Sequence, residues 1–227
     1  MIASWVIPPE ADAEFVAGME EVLETYAQAY DPAHPVLGMD EQPVQLIRET
    51  RPPLPATQEH PARVDSEYER AGTASIVMFA EPLSGFRPAT ARPQRTTVDG
   101  ALEVAQWLDT RDTDGARITL VCDNLNTHTK GAVDEAFEPA RARAYRRRLE
   151  CCHTPKHGSW LNRAACERSG MTSQCLRGRR IGELAELQSE ICLWSEKTHA
   201  KQRGVAWPFQ IDDARQKLNR LYPKLKT

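Results

Sequence analysis

The 227-residue sequence contains no apolar run of about 18 residues, which excludes a membrane-spanning helix. Its first residues, Met1-Ile2-Ala3-Ser4-Trp5-Val6-Ile7-Pro8-Pro9-Glu10, lack a basic stretch followed by a long apolar one, so no secretory signal is read there. A cytoplasmic protein is the expectation. Cys-x-x-Cys pairs are missing, and the six cysteines read as reduced thiols rather than a disulfide framework. There is no Gly-rich phosphate loop and no Gly-x-Ser-x-Gly elbow, which removes P-loop nucleotide hydrolysis and acyl transfer. Internal repeats and low-complexity tracts are absent too. Aromatics are sparse at 7%, while 41% hydrophobic and 27% charged residues describe an ordinary globular chain.

The net charge of −3 hides a division along the chain. Of 32 acids and 29 bases, residues 1–140 hold 24 acids and 10 bases, a net of −14, and residues 141–227 hold 8 and 19, a net of +11. Such a basic segment, with Arg141, Arg143, Arg146, Arg147, Arg148, Arg177, Arg179 and Arg180, has two readings. It either engages phosphates or is a solvated face separated in sequence from its counter-charges.

Apolar positions recur at helical spacing over Pro8–Tyr30 (Phe15, Val16, Met19, Val22, Leu23, Tyr26) and again over Thr97–Leu108. Val36–Asp40 reads as a short buried strand with Val44–Arg48 as its hairpin partner. Ala74–Ala80 and Ile118–Asp123 are the clearest strands, and Leu149–His153 is a shorter one. Residues 51–61 hold Pro52, Pro53, Pro55 and Pro61 and predict a loop or arm. Helices are predicted over 131–148, 161–176, 182–202 and 211–221. This mixture predicts an α/β domain with a central mixed sheet.

Two of the strands end in aspartate, Asp40 and Asp123. On neighbouring strands their carboxylates would converge on one point and suit Mg²⁺ or Mn²⁺; alternatively each starts a turn. Cys151, Cys152, His153 and His157 have ligand-type side chains, but adjacent cysteines do not easily meet one tetrahedral zinc. Asn126 and His128 either orient groups near Asp123 or cap the next helix. Trp160 reads as a loop anchor or a stacking surface for a base.

Asp123-Asn124-Leu125-Asn126-Thr127-His128, followed by Thr154-Pro155-Lys156-His157-Gly158-Ser159-Trp160-Leu161-Asn162, resembles the catalytic domain of bacterial insertion-sequence transposases of the mariner-like superfamily. Met39-Asp40-Glu41, Tyr68-Glu69-Arg70-Ala71-Gly72-Thr73, Gln174-Cys175-Leu176 and Leu221-Tyr222-Pro223 carry the likeness over nearly the whole chain. The resemblance implies a ribonuclease H-like fold, α/β, with a mixed five-stranded sheet flanked by helices. It also implies an acidic triad, usually Asp, Asp and Glu or Asp, that holds two Mg²⁺ or Mn²⁺ ions for DNA strand cleavage and transfer. Asp40 and Asp123 match the first two acids.

The third position departs, because three places after Asn162 stands Ala165. Glu167 is the candidate replacement, although two helical residues differ by about 200° in direction. Lys156, His157, Arg177, Arg179 and Arg180 are the candidate DNA contacts. The implied layout is a helical lead-in over 1–34, the catalytic domain over 35–181 and a basic helical extension over 182–227. Relatives carry an N-terminal helix-turn-helix region, and this chain starts near the catalytic domain, so a truncated and impaired copy is expected. DNA, specifically transposon ends, is the implied partner, with a homodimer possible, no membrane, and a place on the bacterial nucleoid. The alternative is a non-catalytic DNA-binding or dimerising remnant.

Overall fold

The apolar runs of the sequence become a sheet covered on both faces. A computed structural model describes residues 7–224 except 9, 112–116, 124–129 and 202. The strands are β1 (Val36–Glu49), β2 (Tyr68–Ala80), β3 (Ala89–Arg92), β4 (Ile118–Cys122) and β5 (Leu149–His153). They lie in the order β3-β2-β1-β4-β5. β2 is antiparallel to both β1 and β3, whereas β4 is parallel to β1 and β5. This is the mixed five-stranded sheet expected.

Seven consecutive buried residues, Ala74–Ala80, show why one run can serve two layers. Successive side chains alternate across the sheet. Val77 and Phe79 join Leu37, Met39, Leu120 and Cys122 under helices α2 (Thr97–Arg111), α3 (Lys130–Ala136) and α4 (Pro139–Arg148). Ile76, Met78 and Ala80 face the opposite layer, formed by α5 (Arg163–Met171) and α6 (Leu184–His199). There α1 (Ala13–Ala27) and α7 (Ile211–Lys217) cover Val121, Cys152 and Leu161. The Asp12 carboxylate caps α1, accepting from the backbone N–H of Glu14 and Phe15 at 3.1 Å each.

Several elements differ from the sequence reading. Val36–Asp40 and Val44–Arg48 are not hairpin partners but parts of one 14-residue strand. Beyond Gly38 the only strand paired with β1 among the described residues is β2, and that edge-like stretch admits Pro43. β2 starts at Tyr68, its first six residues mostly exposed and without apolar alternation. β3, Ala-Thr-Ala-Arg, carries no large apolar residue to betray it. The helix predicted over 131–148 is two helices, divided where Pro139 occupies the first turn of α4. Residues 161–176 become a 3₁₀ turn at Ser159–Leu161, then α5, then a π turn at Thr172–Leu176.

The segment 182–227 shares a core with the residues before it. Leu187 and Ile191 of α6 pack with Ile76 and Met78, and Ala214 and Leu221 pack with α1. Ile191 is fully buried. Ile191→Ala is therefore expected to cost about 2–5 kcal/mol in chemical denaturation. Unfolding followed by tryptophan fluorescence should remain one transition; two transitions would mark 182–227 as a separate unit.

Candidate active site

The pairing of β1 with β4 sets the site. Gly38 stands opposite Val121 in parallel register. Asp40 lies two residues beyond Gly38, and Asp123 two beyond Val121 just past the end of β4. Side chains two apart share a face, so both carboxylates stand at one level, on one face, on strands roughly 4.8 Å apart. The parallel register thus carries the two aspartates read as strand-ending to the same end of the β1–β4 pairing.

Helix α5 covers that face, placed by one amide. Asn162, 1% exposed, donates from Nδ2 to the Met39 carbonyl at 2.6 Å. Its Oδ1 accepts from the Ala164 N–H at 3.0 Å, capping the helix start. Gly38 lets the two backbones meet, since a Cβ there would stand 2.9 Å from the Ala164 nitrogen. Four helical residues rise about 6 Å and two strand residues about 6.6 Å, so helix and strand then keep step. Ala164 lies on Gly38, the Arg168 Nε donates to the Asp40 carboxylate, and the Thr172 hydroxyl donates to Gln42 Oε1 at 3.1 Å.

Asp40 is thus a half-enclosed carboxylate, 13% exposed, against a guanidinium 28% exposed. Burial pushes the Asp40 carboxyl above the ordinary aspartate range, the Arg168 charge and hydrogen bond pull it back, and the nearby Asp123 charge adds to the rise. Glu41, its neighbour in sequence, turns to the other face and pairs with Arg95.

Glu167, the candidate third acid, does not join Asp40 and Asp123. Arg87 holds it at 2.7 Å. The Arg87 side chain is 7% exposed and also donates to the carbonyls of Gly85 at 2.9 Å and Arg203 at 2.8 Å. Glu167 therefore ties α5 to the β2–β3 connection through Arg87, which also joins that connection to the C-terminal segment. The direction of the helix is the reason, because Ala165 and Arg168 share a side that Glu167 leaves. Among the described residues no group of three or more His, Cys, Asp or Glu could hold a metal ion.

The candidate DNA contacts divide in two. Lys156 and His157 are exposed on the loop after β5, which the Thr154 N–H ties to the Cys122 carbonyl at 2.9 Å, beside Asp123. His157 adopts a left-handed backbone, φ 66°. Arg177 is exposed after the π turn. Arg179 and Arg180, however, are spent on Glu190 at 2.6 Å and Glu49 at 2.7 Å. Cys152 is a buried thiol that accepts from the Thr25 hydroxyl at 3.6 Å, and burial pushes its pKa up. Trp160 packs edge-on against Phe209 at 6.1 Å, as an anchor. Asn126 and His128 lie outside the described residues.

A family model described as "DDE superfamily endonuclease" matches residues 35–188, more than half of the chain. The chain belongs to the DDE superfamily of endonucleases. Its fold is similar to the Mos1 mariner paired end complex with Mn, at TM-score 0.54 and 13% identity, covering 90% of this chain and 60% of that one. The same complex with Mg gives TM-score 0.55 and 12% identity, over 99% of this chain and 67% of that one. At such identities the likeness is one of fold, and it confirms the ribonuclease H-like α/β sheet. This DDE domain spans roughly three fifths to two thirds of the length of those chains. No curated protein matches it.

Sequence reasoning missed Arg168 and Arg87 as partners of the acids. The available signal was Arg168 three residues after Ala165, on the same helix side. Glu167→Gln, which leaves the buried Arg87 without its anion, is expected to lower stability by about 1–3 kcal/mol in urea denaturation. An unchanged midpoint would show that the ion pair does not hold the β2–β3 connection.

Proposed function

We propose that this chain is the catalytic domain of a DDE-type transposase that keeps its hold on DNA and is impaired in strand cleavage. The observation that carries this reading is the facing pair Asp40 and Asp123 at one register level of the family's sheet. In such a domain the pair is where Mg²⁺ or Mn²⁺ would be held. The remaining donors do not fit a two-ion centre. Ala165 offers no oxygen, Glu167 is bound by Arg87, and a guanidinium rests on Asp40.

DNA is the partner this reading supplies. The solved relatives are named as paired end complexes, and exposed bases are present: Lys156 and His157 on the loop tied to β4 beside Asp123, Arg177 after the π turn, and Arg143 and Arg147 on α4. A homodimer and a place on nucleoid DNA complete the reading. The Arg168–Asp40 pair favours the second form of it, a remnant that binds DNA without cutting.

Fluorescence anisotropy with a random-sequence duplex should give a Kd of about 10⁻⁴–10⁻⁶ M that weakens steeply with salt. Lys156→Ala together with Arg177→Ala should lower the salt slope by about 2. Nicking of supercoiled plasmid in Mn²⁺ should be absent. Salt-independent binding or none overturns the DNA reading. Nicking that disappears on Asp123→Asn overturns the impairment.

A further inference from the structure

Two carboxylates at one level of adjacent strands repel each other, and burial sharpens the repulsion. A proton or a cation relieves such a pair. In this chain the cation is covalently present, because Arg168 reaches Asp40 from α5. A guanidinium stays charged throughout the accessible pH range, so the compensation does not depend on solution conditions.

We propose that Arg168 is a resident cation that takes the place of a divalent ion at the Asp40–Asp123 pair and closes it to Mg²⁺ and Mn²⁺. The placement of Arg168 is not a matter of one flexible side chain. Its helix is pinned on both sides of the contact, by Ala164 against Gly38 one turn before and by Thr172 on Gln42 one turn after. Its Nε bond joins a carboxylate 13% exposed, so an entering ion must displace a paired, partly desolvated charge. The two acids alone would give an ion too few protein oxygens to offset that displacement. Helix residue 165, which shares the side of Arg168, adds only a methyl group, and Glu167 is engaged in the Arg87 network.

The inference goes beyond the DNA reading and is tested without DNA, so the two fail separately. The full chain is titrated with Mn²⁺ alone, while the electron paramagnetic resonance signal of free Mn²⁺ and the Tm are followed. For the unaltered chain the free signal should match the protein-free control, and neither Mn²⁺ nor EDTA should move the Tm. Arg168→Gln should lower the Tm, bind Mn²⁺ at least about tenfold more tightly, and recover Tm on Mn²⁺ addition. Adding Asp40→Asn to that variant should abolish the uptake. Arg168→Lys, which keeps a cation on the helix, should stay closed.

Uptake by the unaltered chain as strong as by Arg168→Gln, and lost on Asp40→Asn, overturns the proposal. So does an Arg168→Gln protein that folds and takes up no Mn²⁺. If Arg168→Gln does not fold, the unaltered chain decides alone. A Tm raised by Mn²⁺ and no longer raised in Asp40→Asn overturns the proposal, and a Tm indifferent to Mn²⁺ upholds it.

Discussion

The buried amide of Asn162 is the constraint on which the site depends. One side chain satisfies a strand carbonyl through Nδ2 and a helix-terminal N–H through Oδ1. Both groups are deeply buried, and leaving either unpaired would cost about 1–3 kcal/mol. The bond to the Met39 carbonyl fixes the start of α5 one residue from Asp40, and Gly38 supplies the clearance that a side chain would deny. Once the first turn is fixed, the near equality of four helical rises and two strand rises carries the register forward to Arg168 and Thr172. The contact at the acidic pair follows from an amide six residues away.

The division of charge along the chain resolves in space. Acids of residues 1–140 and bases of residues 141–227 meet across 12 to 195 positions: Glu20 with Arg215 at 3.0 Å, Glu49 with Arg180 at 2.7 Å, Asp109 with Arg141 at 3.1 Å, and Asp134 with Arg146 at 2.8 Å. Of the two sequence readings of the basic third, that of separated counter-charges accounts for these arginines. The outer pairs, Asp109–Arg141 and Asp134–Arg146, are largely solvated and each contributes about 0–1 kcal/mol. Arg87–Glu167 and Arg168–Asp40 are enclosed and rigid, and they decide local structure. Exposed bases of the same segment include Arg143, Arg147, Lys156 and Arg177.

What the sequence disclosed follows from range. Ala74–Ala80 and Ile118–Cys122 were legible because buried strands are locally apolar, and α1 because its stripe repeats at helical spacing. β3 and the first half of β2 were not, since their pairing depends on neighbours rather than on their own side chains. Val36–Asp40 and Val44–Arg48 read as two strands, whereas one strand runs through Pro43, where β2 is the one strand paired with it among the described residues. At the site, Asp40 and Asp123 were identified through a resemblance, and the opposed direction of Glu167 through helix geometry alone. The partner of Arg168 was beyond reach. It depends on the register between a helix and a strand more than a hundred residues apart, and on a glycine whose value lies in the atoms it does not have.

That register is also indifferent to the side chain at residue 165. None of the contacts that seat α5 on β1 through Asn162, Gly38 and Thr172 involves the side chain of residue 165. The helix keeps its place whether an oxygen or a methyl group stands there. Relief of the carboxylate pair can then pass from solution to the chain. An ion recruited from solvent stabilises a fold only in proportion to its saturation, by RT ln(1 + [L]/Kd), and vanishes on dilution. A guanidinium on a pinned helix is present at fixed local concentration and surrenders only side-chain entropy, at most about 2 kcal/mol. Arg168 supplies its charge to Asp40 in that way, from a helix whose position the rest of the fold sets.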